Sequence, residues 1–247
     1  MHALDNVIWT ALTTRQEKFA EIGDEARRFV PEVSPLAAFR EPSPRGYESL
    51  AGLVPVGGTL GLFLEAPYQE RAGWSLVAGA PMPEMIYEEA STPLPGSSYA
   101  GLRPEDSRGR LSPHRLDPEI VELSAVDVPE MLELTALTKP GPFNKRTHEL
   151  GTYLGIRRAG KLVAMAGERL KIPGYTEVSA ICTHPEHTGQ GYARILTTEV
   201  MQRIRSRGEA PFLHVREDNV RAIELYRKLG FSQRVRLHYA VLRKDQE

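Results

Sequence analysis

The stretch "HPEHTGQGYARI", His184 to Ile195, decides the fold. Gly189, Gly191 and Ala193 alternate with larger residues, and an apolar-periodic run starts directly behind them. Ala193, Leu196, Val200 and Ile204 share one face of a helix that the spacing predicts from Gly191 to Arg207, with Gly208 just past its end. Small residues at every second position let successive backbone N–H groups turn towards one concavity. A helix N-terminus behind them adds unpaired donors and the positive end of a dipole. The pattern therefore predicts a cradle for an anion. A dinucleotide fingerprint would need a small residue where Arg194 stands, and a phosphate-binding P-loop would need Gly-Lys-Ser/Thr, which is absent.

Elements on either side extend this reading. Upstream, "EIVELS" reads as a strand, "AVDVPEMLELTALT" as an amphipathic helix with Pro129 in its first turn, and "TYLGIRR", "KLVAMAGERLKI" and "TEVSAICTH" as three successive strands. Downstream come the strand "PFLHV", a helix from about Asn219 to Leu229 closed by Gly230, and the strand "RVRLHYAVL". The expected order, β-α-α-β-β-β-α-β-α-β-β, is an α/β (α+β) arrangement: a mixed central sheet flanked by helices, over residues 118–247. Residues 90–117, rich in Pro, Gly, Ser and charge, read as an exposed connection. Residues 1–89 read as a smaller α/β domain. Its expected elements are a helix over 16–29, strands in "GGTLGLFLEAP" and "GWSLVAGAP", and a short helix at "PEMIYEEA". Trp9 and Trp74 read as core or interface residues.

Composition narrows the function. The chain has 247 residues, 41% of them hydrophobic and 26% charged, as in a globular protein. Lys plus Arg number 31 against 32 Asp plus Glu, so no overall field recruits nucleic acid or an anionic membrane. One cysteine, Cys182, excludes an internal disulfide and points to a reducing, cytoplasmic setting. The seven histidines form no metalloprotease pattern, so no metal is expected. The N-terminus lacks the pattern of a secretory signal, and no run approaches the ~18 apolar residues of a membrane span.

The glycine stretch between a strand and a long helix resembles the GNAT acetyltransferase superfamily, whose phosphate loop reads Arg/Gln-x-x-Gly-x-Gly/Ala. Gly191 and Ala193 match its small positions. Thr188 departs from it, standing where Arg or Gln is usual. The stretch "REDNVRAIELYRKLGF" is similar to the family's second helix motif, with Asn219, Ala222, Tyr226, Gly230 and Phe231 matching. Within the superfamily the chain looks closest to the C-terminal half of glycine N-acyltransferases. That likeness allows the N-terminal region to be a degenerate GNAT-like half.

This resemblance implies an acyl-CoA-dependent N-acyltransferase, acetyl-CoA being the cosubstrate and a primary amine or amino acid the acceptor. The alternative is a non-catalytic module that holds acyl-CoA. The amides of Gly189, Gln190, Gly191, Tyr192, Ala193 and Arg194 would hold the pyrophosphate. Pantetheine would run along Ile181, Cys182 and Thr183, with the Cys182 N–H facing the thioester carbonyl, and Asn219 would bond the pantetheine arm. Tyr226 would protonate the departing thiolate. Glu177, fourteen residues before Gly191, takes the base position of histone-type relatives, with Glu168 and His214 as rivals. His214 stands where ribosomal-protein N-acetyltransferases have a glutamate. Phe143, Arg146, His148 and Tyr239 are candidates for the acceptor pocket. Oligomeric state is open.

Overall fold

A helix expected over residues 16–29 is replaced by a hairpin. In the computed structural model, which describes residues 2–87 and 118–246, α1 (Val7–Thr13) is followed by a 3-10 turn at Glu17–Phe19. β1 (Ala20–Ile22), β2 (Ala26–Phe29) and β3 (Ala37–Phe39) then form a three-stranded antiparallel sheet. The Gly23 N–H donates to the Ala26 carbonyl at 2.9 Å and closes the turn. β2 has partners on both sides, and that pairing overrides the local helical periodicity. α2 (Pro44–Leu53) starts as its sequence dictates: Ser43 Oγ accepts from the Gly46 N–H at 3.1 Å, and Pro44 occupies the first turn.

β4 (Thr59–Leu64) and β5 (Trp74–Tyr87) follow. The short helix expected at "PEMIYEEA" does not form. Residues 83–87 complete β5, buried between two strands, while residues 88–90 lie outside the described chain. Pro81 and Pro83 are tolerated in that central strand because they act as acceptors, taking bonds from the Glu217 and Val215 N–H groups.

The remaining elements follow the expected order except that one helix stands in place of two after the first strand and one long strand in place of the last two. They are β6 (Ile120–Leu123), a 3-10 turn at Ala125–Asp127, α3 (Val128–Thr138), a 3-10 turn at Thr147–Leu150, β7 (Tyr153–Arg158), β8 (Lys161–Ile172) and β9 (Tyr175–Thr183). After a 3-10 turn at Pro185–His187 come α4 (Tyr192–Ser206), β10 (Ala210–His214), α5 (Val220–Lys228) and β11 (Phe231–Lys244). A single helix and a 3-10 turn stand where two helices were expected. Ser124 and Asp127 form a capping box ahead of α3.

The large sheet has eight strands in the order β4-β11-β5-β10-β9-β8-β7-β6. Its pairs are antiparallel except β9 with β10. Two strands from the N-terminal region, β4 and β5, are built into it, and β5 lies between β10 and β11. The connection expected at 90–117 lies outside the described residues, yet the chain on either side of it shares one sheet.

The helices cover both faces. Leu196, Val200 and Ile204 of α4 pack with Leu154, Val178, Leu213 and Phe231. On the opposite face Leu4, Ile8 and Leu12 pack with Ile86, Leu170 and Phe212, and Met131 and Leu134 of α3 pack with Tyr153, Met165 and Cys182. Trp74 joins a third cluster with Leu50, Leu60 and Leu242. Among the described residues no helix is long and apolar enough to cross a membrane.

Candidate active site

The parallel pair in the middle of the sheet comes apart. β9 and β10 pair from Tyr175–Ala210 to Glu177–Phe212, and there the pairing stops. β9 runs on to Thr183, while β10 stays with β5 through His214 opposite Glu84. A bulge accompanies the parting. Against β8 the register shifts between Gly167–Ser179 and Met165–Cys182, and Ala180 takes φ 54. One extra residue on β9 bends that strand, and among the described residues its outer edge is unpaired beyond Glu177.

The expected cradle stands at the end of this edge. Gly189 and Gly191 have φ 77 and φ 79, and a Cβ on either would meet nothing within 4 Å, so the concavity is open. The Ile195 N–H, donating to the Gly191 carbonyl at 3.0 Å, makes the first bond of α4. Among the described residues the amides from Gly189 to Arg194 donate to no protein acceptor. The Tyr192 side chain turns inward: its hydroxyl donates to Gln190 Oε1 at 2.5 Å and accepts from Arg158 Nε at 2.9 Å. It fixes the loop and leaves its amide for an anion. Arg194 is exposed, and Thr188 Oγ1 donates to the Pro185 carbonyl at 3.0 Å. These free amides fit the diphosphate of a coenzyme A carrier.

Cys182 lies in the cluster under α3, and Tyr226 of α5 in the cluster under α4, near enough for the Cys182 sulfur to act on its phenol. Both are buried. Burial pushes the Cys182 thiol up to about 11, partly offset by a hydrogen bond with Thr138. Burial also raises the Tyr226 phenol, and the neighbouring Cys182 sulfur adds to the effect. Ile181 and Thr183 are half-buried on the same strand edge. Asn219 is differently employed from the expectation: its Oδ1 accepts from the Ala222 N–H at 3.2 Å and caps α5, so only its Nδ2 is available to a ligand.

Glu177 is buried, with 1% of its surface exposed. Arg169 grips it with two bonds, Nε to Oε2 at 2.8 Å and Nη2 to Oε1 at 2.6 Å, and the Leu170 N–H adds a third at 3.3 Å. Burial alone would raise its pKa, but the Arg169 charge and the bonds from Arg169 and His214 win and hold it at about 2. A carboxylate so held has almost no affinity for a proton near neutrality, so Glu177 is a poor direct base. Its Oε1 lies 2.7 Å from His214 Nδ1. The carboxylate can only accept there, so Nδ1 carries the proton and Nε2 is the titrating nitrogen.

His214 Nε2 faces Glu84 Oε2 at 3.4 Å, and Glu84 is in turn bonded by Arg234. Burial lowers the imidazole pKa, but the two carboxylates overcome it and the net shift is upward. The ring stacks on Phe63 with centroids 4.2 Å apart. Glu168, the other rival, is spent on Lys171 at 2.6 Å and on Arg207 at 2.8 Å, at the end of α4.

The acceptor candidates are dispersed. Arg146 is exposed and paired to Glu149 through bonds of 2.7 and 2.9 Å, so its charge is already matched. Phe143 packs edge-on against Tyr153 with centroids 5.5 Å apart. His148 Nδ1 is buried without a partner among the described residues. Tyr239 is half-buried with its hydroxyl over Gly61. Sequence reading missed three residues here: Glu84, Arg169 and Tyr153. Among the described residues no group of three His, Cys, Asp or Glu side chains is placed to hold a metal ion.

The family model described as FR47-like protein matches residues 153–240. N-alpha-acetyltransferase RimI of Mycobacterium tuberculosis is 40% identical over 105 residues, which is 40% of this chain and 63% of that relative. The chain thus spans less than two thirds of that curated relative. A GCN5-related N-acetyltransferase from Kribbella flavida, at 17% identity and TM-score 0.57 over 98% of this chain and 97% of its own, shares the fold. A GNAT-family crystal structure from Novosphingobium aromaticivorans is 33% identical, with TM-score 0.82 and full coverage of both chains. With a relative that similar over its whole length, and with β9 and β10 parting beside an open amide cradle, the protein belongs to the GNAT family of acetyltransferases.

Proposed function

We propose that the protein is an acetyl-CoA-dependent N-acetyltransferase acting on an α-amino group. The observation that carries this reading is the row of amides, Gly189 to Arg194, unpaired among the described residues and opening beside the edge of β9 that β10 leaves. When bound, acetyl-CoA supplies the activated acyl group and a thiol leaving group. The cradle amides would hold its diphosphate, and Ile181, Cys182 and Thr183 would offer the strand edge to its arm. The α-amine acceptor follows from the likeness to RimI, an N-alpha-acetyltransferase. It replaces the glycine N-acyltransferase likeness as the better supported choice.

Direct attack by the amine suits the residues present. A Cys182 thiol pushed to about 11 is not a nucleophile at neutral pH, so no acyl-enzyme is needed. A main-chain N–H of the open β9 edge beside Cys182 serves instead as a fixed donor for developing charge on the carbonyl oxygen. The amine's proton leaves by way of His214 Nε2. Glu177 orients that ring through Nδ1, and the two flanking carboxylates match the charge it acquires. Tyr226, kept protonated by burial, delivers a proton to the leaving sulfur. The single buried cysteine suits a cytoplasmic setting.

Calorimetry with acetyl-CoA, followed by thiol release with peptides bearing free N-termini and with simple amines, tests this reading. Binding with thiol release on an α-amine supports it. Binding without thiol release on any amine would mark a non-catalytic module, and no binding would end it.

A further inference from the structure

One buried hydroxyl at the centre of the site has no structural task. Tyr153 is 1% exposed and its Oη has no hydrogen-bond partner among the described residues. Buried polar atoms left without partners are uncommon, because desolvation is not repaid. The ring is deliberately accommodated. Tyr153 pairs with Gly167 across β7 and β8, and a Cβ on Gly167 would lie 2.2 Å from Tyr153 Cδ1. Only glycine lets the phenol lie flat over β8.

From there the ring runs towards β9, where Ser179 is the partner of Gly167, one residue before the bulge at Ala180. Its hydroxyl is close enough to feel the charges of Arg169 and Glu177, and burial keeps it a neutral phenol. Arg169 and Tyr239 are the parts of this group nearest to solvent: Arg169 has 9% of its side chain exposed and Tyr239 is half-buried. Tyr153 therefore lies on the face away from α4, packed against α3, with its hydroxyl within range of the Arg169–Glu177 pair.

The local charge balance selects what the Tyr153 hydroxyl can hold. The guanidinium of Arg169 is already matched by Glu177, and Glu168 by Lys171 and Arg207. A full carboxylate would enter without a spare cation. A neutral carbonyl oxygen needs only a neutral donor, which the phenol is. We infer that Tyr153 is a positioning residue for the acceptor, its hydroxyl donating to the carbonyl oxygen next to the reacting α-amine, so that the site takes a peptide-like amino-terminal residue in preference to a free amino acid or a plain alkylamine. This rests on the α-amine reading above.

The test compares wild type with Tyr153→Phe, using the protein saturated with coenzyme A. L-alaninamide, L-alanine and isopropylamine are titrated by calorimetry; they differ only in bearing an amide, a carboxylate or a methyl group beside the amine-bearing carbon. Wild type is expected to bind alaninamide best, and Tyr153→Phe to weaken alaninamide about tenfold while leaving isopropylamine unchanged. Melting temperature supplies a second readout. Because the hydroxyl has no partner among the described residues, its removal should leave stability equal or slightly higher.

Three results would overturn the inference: equal binding of the three probes by wild type, or of none; an unchanged alaninamide affinity in the variant; or a loss of stability showing that the hydroxyl has a structural partner. Coenzyme A binding, recorded in the same titrations, separates the cases. If the coenzyme fails to bind, the transferase reading falls; if it binds without an alaninamide preference, only the role of Tyr153 falls.

Discussion

Tyr226 and Cys182 show how two buried side chains divide their tasks. The phenol keeps its proton because burial and the adjacent sulfur disfavour phenolate, so a proton is available to a leaving thiolate throughout the neutral range. Tyr226→Phe is expected to lower kcat by about 100-fold or more with the acetyl-CoA dissociation constant unchanged, measured by thiol release and calorimetry. Cys182→Ala should keep kcat within a few fold, since the position contributes a main-chain N–H and a small apolar side chain. Loss of all activity in that variant would restore a covalent role for sulfur.

The Glu177–His214 pair makes a pH prediction with opposite signs. Glu177 has a folded pKa of about 2 against an ordinary 4.5, so its stabilisation is full above pH 4.5 and drains away as pH falls towards 2. His214 is shifted upward, so its contribution is full below pH 6.5 and is lost as pH rises through its folded value. Melting temperature against pH should therefore fall on both sides, and His214→Gln should remove the alkaline limb while leaving an acid limb, weakened by loss of the His214 charge but still carried by Arg169. Most of this was hidden from the sequence. The fourteen-residue spacing located Glu177, and the "FLHV" strand located His214, but the bidentate grip of Arg169 requires the three-dimensional register of β8 on β9. Glu84 was invisible for another reason: it lies 130 residues away in a stretch that looked helical.

At the scale of elements, periodicity and punctuation were enough wherever an element is stabilised by one face. The helix expected from Gly191 to Arg207 is α4, Tyr192–Ser206, and its preceding glycines adopt the left-handed backbone that such a cradle needs. Gly191→Val is expected to strain that position by about 1–2 kcal/mol and to place side-chain bulk in the open concavity. Acetyl-CoA affinity should fall at least tenfold by calorimetry, while far-ultraviolet dichroism stays unchanged. Elements decided by neighbours were read wrongly. Residues 16–29 carry helical spacing, yet they fold as β1 and β2 because β3 supplies an edge to pair with. Tyr153 and Gly167 fall between these cases. The turn at residues 158–161 fixes the β7–β8 hairpin, and counting outward from it brings the two residues opposite each other apart from one register shift.

In the whole molecule the N-terminal region is part of the catalytic sheet. β5 lies between β10 and β11, so residues 118–247 alone would leave those two strands with bare edges and would strip Ile86 from Phe212 and Glu84 from His214. Composition suggested a connection near 90–117, and from it two separate units. That step failed for a physical reason: strand partners far apart in the chain leave no local mark. A chain beginning at residue 118 is therefore expected to lack a cooperative thermal transition, even though it contains the cradle, Tyr226 and His214. Co-expression of 1–117 with 118–247 should restore one, because β5 can re-enter between its two neighbours as a separate chain. Cooperative melting of 118–247 by itself, at the temperature of the full chain, would show that β5 is dispensable and that the sheet closes without it.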